Sequence, residues 1–318
     1  MKTRLTGLIA APFTPMLPNG GINLGMIEPL AQALAANNVA GAFINGTTGE
    51  GASLSTEERL QIAQEWVRVA PPSLRIIVHA GHQSIVDSRA LAAHAQQIEA
   101  HAFATIAPSF FRINNIEQLV DWCAQIAGAA PSLPFYYYHF PVMTGADLPM
   151  IDFLKAAGRR IPNLAGIKFT HENLMDYRRC LDFENGRFDV LFGRDEMMLA
   201  ALGMGATGLV GSTYNYLAPL YHRLIDAFRT GDFDTAQRLQ SDAIEVIAVM
   251  SRRGGLAAGK AMMRLIGLDC GPVRAPLQNL ITEGLAALQR DLKSVGFPLA
   301  APKPARRSRS AALRGSVK

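Results

Sequence analysis

Eight short apolar runs, each followed by a polar turn and then a segment of helical spacing, constrain this chain more than any other feature. They are GLIAAPFT from Gly7, AGAFING from Ala40, RIIVHAG from Arg75, FATIAP from Phe103, PFYYYHF from Pro134, LAGIKFT from Leu164, FDVLFG from Phe188 and GATGLVGS from Gly205. Repeated βα units imply a parallel sheet. Most runs are continuously apolar rather than alternating, as strands are when helices cover one face and packed side chains the other. Eight such strands close a barrel, so the expected fold is α/β, a (β/α)8 TIM barrel. An open doubly wound sheet uses the same units, but no GxGxxG follows the first run.

The intervening helices carry start and stop signals. Ser55-Thr56-Glu57-Glu58 has capping-box spacing, RLQIAQEWVRV after it puts Leu60, Ala63, Trp66 and Val67 on one face, and Pro71 and Pro72 end the helix. YLAPLYHRLIDAFR after the eighth run reads as the closing helix, and further helical patterns follow from Asp232 to about Leu292. The expected division is a barrel over 1–230, a small C-terminal helical appendage over 231–298 and a disordered basic tail over 299–318. The appendage either covers one end of the barrel or makes an oligomer contact.

Charge and composition narrow the function. The chain of 318 residues is 49% apolar and 18% charged, enough for a large core. Its net charge of +5 is smaller than the charge of six basic residues after Leu299, namely Lys303, Arg306, Arg307, Arg309, Arg314 and Lys318. The body is therefore close to neutral and lacks the footprint of a nucleic-acid binder. Cys123, Cys180 and Cys270 form no CxxC pair, which suggests reduced thiols and a cytoplasmic location. Pro12 and Pro15 interrupt the N-terminal apolar stretch, which reads as a first strand rather than a signal peptide. No apolar run approaches the roughly 18 residues of a membrane span.

In a parallel barrel the reactive groups gather at the C-terminal strand ends, where the βα loops open. The second run ends in Asn45-Gly46-Thr47-Thr48-Gly49-Glu50-Gly51. Glycines there let amides converge and two hydroxyls turn inward, a nest of carboxylate size; a plain glycine-rich turn is the other reading. In the sixth run, alternation sends Gly166, Lys168 and Thr170 to one face and Ile167 and Phe169 to the other. The apolar pair belongs under the helices, so Lys168 is expected to point into the barrel. Desolvation disfavours an ammonium there, and a neutral amine forms a Schiff base with a carbonyl substrate. A lysine that snorkels or meets a structural carboxylate is the alternative.

The fifth run is aromatic, mostly for core packing, with Tyr138 near its end as a phenol able to shuttle a proton. Gly193-Arg194-Asp195-Glu196 after the seventh run and Gly211-Ser212-Thr213-Tyr214-Asn215 after the eighth offer acceptors and hydroxyls suited to a polyol. Asp195 and Glu196 are equally suited to capping the next helix. His79 and His82 make a metal pair with no strong third ligand, so no metal is expected.

Four motifs thus occur in order: GTTGE from Gly46, Tyr138-His139-Phe140-Pro141 as YxxP, Lys168 in GIKFT, and GSTYN from Gly211. On them the chain resembles the N-acetylneuraminate lyase and dihydrodipicolinate synthase superfamily over roughly 6–298. PFYYYHFPVMTG, NGTTGEG, FGRDE and GSTYNYL are most similar to the animal-type lyases of that superfamily. The resemblance implies that Lys168 is the Schiff-base lysine and Tyr138 the proton relay. It implies that Thr47, Thr48 and the Gly49 amide hold a substrate carboxylate, while Thr170, Gly193, Asp195, Glu196 and Ser212 bind a sugar. It further implies a small-molecule substrate, N-acetylneuraminate cleaved reversibly to N-acetylmannosamine and pyruvate, no metal or organic cofactor, and a homotetramer.

Dihydrodipicolinate synthases usually carry an arginine two residues after the YxxP proline. Met143 stands there instead, and Phe110 and Phe111 occupy the region of their paired tyrosine. Both departures speak against the aldehyde-carboxylate substrate of that branch, and Arg194 adds a cation beside the expected sugar site. Another 2-keto-3-deoxy sugar acid stays open as substrate. A metal-dependent aldolase and a non-catalytic sialic-acid-binding barrel are rivals from other classes, and Lys168 with Tyr138 argues against both.

Overall fold

Alternation along each strand decides which side chains fill the interior. The computed structural model describes residues 4–297. Its strands are β1 (Gly7–Ala10), β2 (Gly41–Ile44), β3 (Arg75–His79), β4 (Ala102–Ile106), β5 (Phe135–His139), β6 (Leu164–Phe169), β7 (Asp189–Phe192) and β8 (Gly208–Gly211), one in each expected run. Each pairs in parallel with its chain neighbours, and β8 closes on β1. Ile9, Phe43, Ile77, Tyr136, Leu191 and Val210 form the inner cluster. Residues of opposite parity, among them Ile44, Val78, Tyr137, Ile167 and Phe169, join the larger layer beneath the helices.

One irregularity sets the height of the chemistry. Between β5 and β6 the register shifts after Phe135, so that Leu164 faces Phe135 but Gly166 faces Tyr136 and Lys168 faces Tyr138. Ala165 is the extra residue. It lifts the lumen-facing residues of β6 into step with those of β5, as a bulge does.

Nine helices connect and cover these strands among the described residues: α1 (Ile27–Ala36), α2 (Thr56–Val69), α3 (Ile85–Gln97), α4 (Ile116–Ala127), α5 (Pro141–Thr144), α6 (Met150–Arg160), α7 (Leu174–Asp182), α8 (Met198–Gly203) and α9 (Tyr214–Thr230). The α2 capping box forms as expected, and the helix ends at Val69 before the proline pair. Its buried face differs slightly from the expected one, because Arg59, Ile62, Ala63 and Trp66 are buried while Leu60 and Val67 are only half-buried. The reason is polar. Arg59 turns inward to donate to the carbonyls of His79 (2.6 Å) and Gly81 (2.8 Å), which rotates the helix toward β3.

After β8 come α9 and then α10 (Phe233–Arg252), α11 (Leu256–Leu265) and α12 (Thr282–Ser294). These C-terminal helices reach over the loop end of the barrel. Gln240 on α10 donates to the Asp195 carbonyl (3.2 Å) and accepts from the Leu199 amide (2.9 Å). Lys260 on α11 forms a buried ion pair with Glu50 of the β2 loop (2.6 Å). Among the described residues no helix is long and apolar enough to cross a membrane. The basic stretch over 299–318 lies outside the described residues.

Candidate active site

Lys168 stands on β6 in register with Tyr138 on β5 and Leu191 on β7, and is 5% exposed. Its Nζ lies 3.8 Å from the Tyr138 ring centroid and 4.0 Å from that of Phe43. Ring faces attract a cation weakly compared with the water it has lost. Burial pushes the amine down to about 7, against the opposing charge of Asp195. A sizeable share of Lys168 is therefore a free, nucleophilic amine at neutral pH.

Burial acts in the other direction on Tyr138, whose phenol is pushed up to about 12 and is kept protonated. Its hydroxyl lies 3.4 Å from the Thr47 hydroxyl. The loop that presents Thr47 is a tight one. Asn45 and Glu50 both adopt left-handed backbone conformations, the Gly51 amide donates to the Gly46 carbonyl (3.0 Å), and the Asn45 amide group donates to the Arg59 carbonyl (3.0 Å). Glu50 accepts from the Arg274 amide (2.9 Å) as well as pairing with Lys260, so the C-terminal segment pins the loop from behind.

Across the cavity, Asp195 is buried and accepts from both the amide (2.8 Å) and the hydroxyl (2.5 Å) of Thr213. Burial nevertheless pushes its carboxyl up to about 6. Neither is an N-cap residue: Arg194 and Met197 hold those positions without side-chain capping bonds, and Asp195 and Glu196 lie in the first turn, with the Asp195 carboxylate directed to Thr213. Two glycines leave room for this. A Cβ on Gly211 would lie 2.2 Å from Asp195 Oδ1, and one on Gly193 would lie 2.0 Å from Thr170 Oγ1. Arg194, 19% exposed, pairs with Glu196 (3.2 Å) and with Glu172.

Together these groups enclose a cavity of about 260 Å³ at the C-terminal end of the barrel. Of the residues singled out from sequence, Lys168, Tyr138, Thr47, Thr48, Thr170, Gly193, Asp195, Glu196 and Ser212 all line it. Gly49 does not, and its carbonyl accepts from the Thr14 hydroxyl (2.6 Å). His79 and His82 have separate partners: His79 Nδ1 lies 3.1 Å from the Asn45 carbonyl, and His82 Nδ1 accepts from the Ser84 amide (3.0 Å). Met143 is exposed and borders a neighbouring cavity of about 490 Å³. Phe110 and Phe111, 80% and 83% exposed, project from the β4 loop.

Sequence reasoning missed several contributors. Phe43 packs against the lysine, and Ile247, Met250 and Ser251 of α10 line the mouth. Phe43 shares the lumen parity of its strand and was legible in principle. The three α10 residues carry no motif, and only the course of the helix brings them there.

The comparisons agree with this geometry. The curated N-acetylneuraminate lyases of Mus musculus and Homo sapiens are 42% and 41% identical to this chain, each over 93% of it and 94% of their own length. The solved N-acetylneuraminate lyase of Proteus mirabilis superposes with a TM-score of 0.91 at 42% identity, covering 93% of this chain and all of its own. A Ruminococcus gnavus sialic acid aldolase, solved as a catalytic lysine mutant, gives a TM-score of 0.86 at 26% identity over 91% of this chain and 95% of its own. With residues 4–295 matching its family model, the chain belongs to the dihydrodipicolinate synthetase family.

Proposed function

We propose that this protein is a carbon-carbon lyase that cleaves open-chain N-acetylneuraminate to N-acetylmannosamine and pyruvate through a Schiff base on Lys168. The observation that carries the reading is the buried amine against the Tyr138 ring, inside a cavity whose far wall is polar. Relatives named for this reaction, one of them studied through its catalytic lysine, point the same way.

The steps follow from the groups present. Lys168 attacks the 2-oxo carbon, and Tyr138 gives its proton to the departing hydroxyl, which leaves as water, so that a protonated imine and a phenolate result. The bond between the third and fourth carbons breaks, its electrons pass to the iminium to form an enamine, and the hydroxyl on the fourth carbon loses its proton as the aldehyde forms. Tyr138 is the acceptor for that proton. The iminium charge beside the ring stabilises the phenolate that Tyr138 becomes on giving up its proton during dehydration, so imine formation itself readies Tyr138 to take the proton from the fourth-carbon hydroxyl. The enamine then takes that proton from Tyr138 at its third carbon, and water hydrolyses the iminium, releasing pyruvate, restoring the Lys168 amine and returning a proton to the phenolate. Thr47 and Thr48 hold the carboxylate with the loop amides, and Thr170, Asp195, Glu196 and Ser212 take the polyol. The sequence of steps calls for no metal or organic cofactor. A homotetramer in the cytoplasm is the assembly and place that the family implies.

Borohydride with pyruvate tests the mechanism. It should inactivate the protein and leave a pyruvate-derived mass on Lys168, and Lys168→Ala should take up none. Activity lost on chelation with no adduct would overturn the imine. Substrate choice is read from kcat/KM, which should be higher for N-acetylneuraminate than for shorter 2-keto-3-deoxy sugar acids. Each hydroxyl missing from a short substrate leaves a buried acceptor unpaired, at about 1 to 3 kcal/mol apiece. A shorter acid turned over tenfold better would remove the substrate assignment and leave the imine standing.

A further inference from the structure

Just outside the cavity, the ends of β5 and β6 carry residues that the lyase chemistry does not use. His139 ends β5 with parity opposite to Tyr138 and is 1% exposed. His171 follows β6, and Asp147 lies in the loop between α5 and α6. Each offers one ligand atom, and the three atoms all lie within 4.8 Å of one another. A second observation is independent of this spacing. His139 Nδ1 is buried without a hydrogen-bond partner, whereas buried polar groups in folded proteins are nearly always paired. Its ring packs against those of Phe169 (5.2 Å) and His171 (5.5 Å).

We propose that His139, Asp147 and His171 form a binding site for a zinc-class divalent cation. Two imidazoles and one carboxylate suit Zn²⁺, Co²⁺ or Ni²⁺, while Mg²⁺ and Ca²⁺ take oxygen ligands. His171 Nε2 lies 4.0 Å from Asp147 Oδ1, while the adjacent Glu172 is paired with Arg194 and is not one of the three ligands. The ligands of tetrahedral zinc stand roughly 3.3 Å apart, given its bond lengths. The site must therefore contract, and Asp147, 74% exposed, has the freedom to close on the two histidines. The Asn173 amide donates to His171 Nδ1 across 3.4 Å, a long bond that is given up when the metal takes Nε2 and the ring proton moves to Nδ1. None of the three residues lines the Lys168 cavity. The ion would act on the scaffold, tying the loop before α6 to the turn before α7.

Zinc chloride is titrated into the chelator-stripped chain in competition with a chromophoric zinc indicator, and melting is followed in parallel. The expected result is one zinc per chain, no displacement by magnesium, and a melting temperature that rises with zinc concentration. Asp147→Asn and His171→Gln should each weaken zinc at least tenfold and abolish the thermal shift, while keeping the activity of the unsubstituted chain. His82→Gln controls for the half-buried His82 and Asp87 pair and should bind as the unsubstituted chain does. Because His139 is buried and its replacement can cost the fold, the two accessible variants carry the test. Absence of stoichiometric zinc binding, or binding undiminished in both variants, would overturn the proposal.

Discussion

At the scale of single residues, the opposite responses of Lys168 and Tyr138 to the same burial divide the chemistry between them. Desolvation penalises whichever form is charged, so it frees the amine at about 7 and keeps the phenol protonated up to about 12. The rate of pyruvate adduct formation should therefore rise with pH through about 7 and level off above it. A plateau reached only near the ordinary lysine value would show that Lys168 is solvated. Asp195, held up to about 6, loses acceptor capacity as the pH falls below that point, which steepens the acid limb for sugar cleavage but not for the pyruvate adduct. Tyr138→Phe should slow cleavage by roughly 10²- to 10⁴-fold and still allow the adduct. Gly211→Ala puts a methyl group 2.2 Å from Asp195 Oδ1. Displacing that carboxylate by about 1 Å should cost on the order of 10²-fold in sugar cleavage, with pyruvate trapping nearly unchanged. Equal losses in both assays would mean that the substitution damages the barrel end as a whole.

Among elements, the joint between α11 and the β2 loop has the most to say about how the cavity is kept. Lys260 and Glu50 are 2% and 1% exposed along their side chains and meet at 2.6 Å, with the Pro272 carbonyl accepting from the lysine at 2.6 Å. Arg274 extends the joint by donating to Glu58 (2.5 and 2.7 Å) at the start of α2. Removing one member of a buried pair strands the other, at about 3–5 kcal/mol, whereas removing both is far milder. Lys260→Met should lower the melting temperature markedly, and Lys260→Met with Glu50→Gln should regain part of the loss. A double variant that is no better than the single one would show that the pair is not coupled. This joint was invisible in the sequence, where Glu50 reads as part of a glycine-rich turn and Lys260 as one basic residue on a helix. By contrast, the α2 capping box was legible because all its partners lie within four residues.

For the molecule as a whole, placing an amine in the lumen opposes stability. Between pH 7 and the ordinary lysine value of 10.5, the unfolded chain binds a proton at Lys168 that the native state does not. Stability from this group therefore rises with pH across that window and is lowest below it. Lys168→Met should abolish adduct formation yet melt higher at pH 7, on the order of 5 °C, with the gap closing toward pH 10. A variant that melts no higher at pH 7 would show that the amine is not penalised in the fold. The sequence by itself determined the barrel and the inward direction of Lys168, because strand alternation and the βα repeat are local periodicities that closure only assembles. Tertiary structure alone decided that Phe43 lies against the lysine, that Thr213 holds Asp195, that α10 lines the mouth and that Glu50 meets Lys260. The same holds for the gathering of His139, Asp147 and His171. These contacts join residues on different strands, loops and helices, whose separation is set by barrel closure and the bulge at Ala165, and no periodicity along the chain encodes such distances.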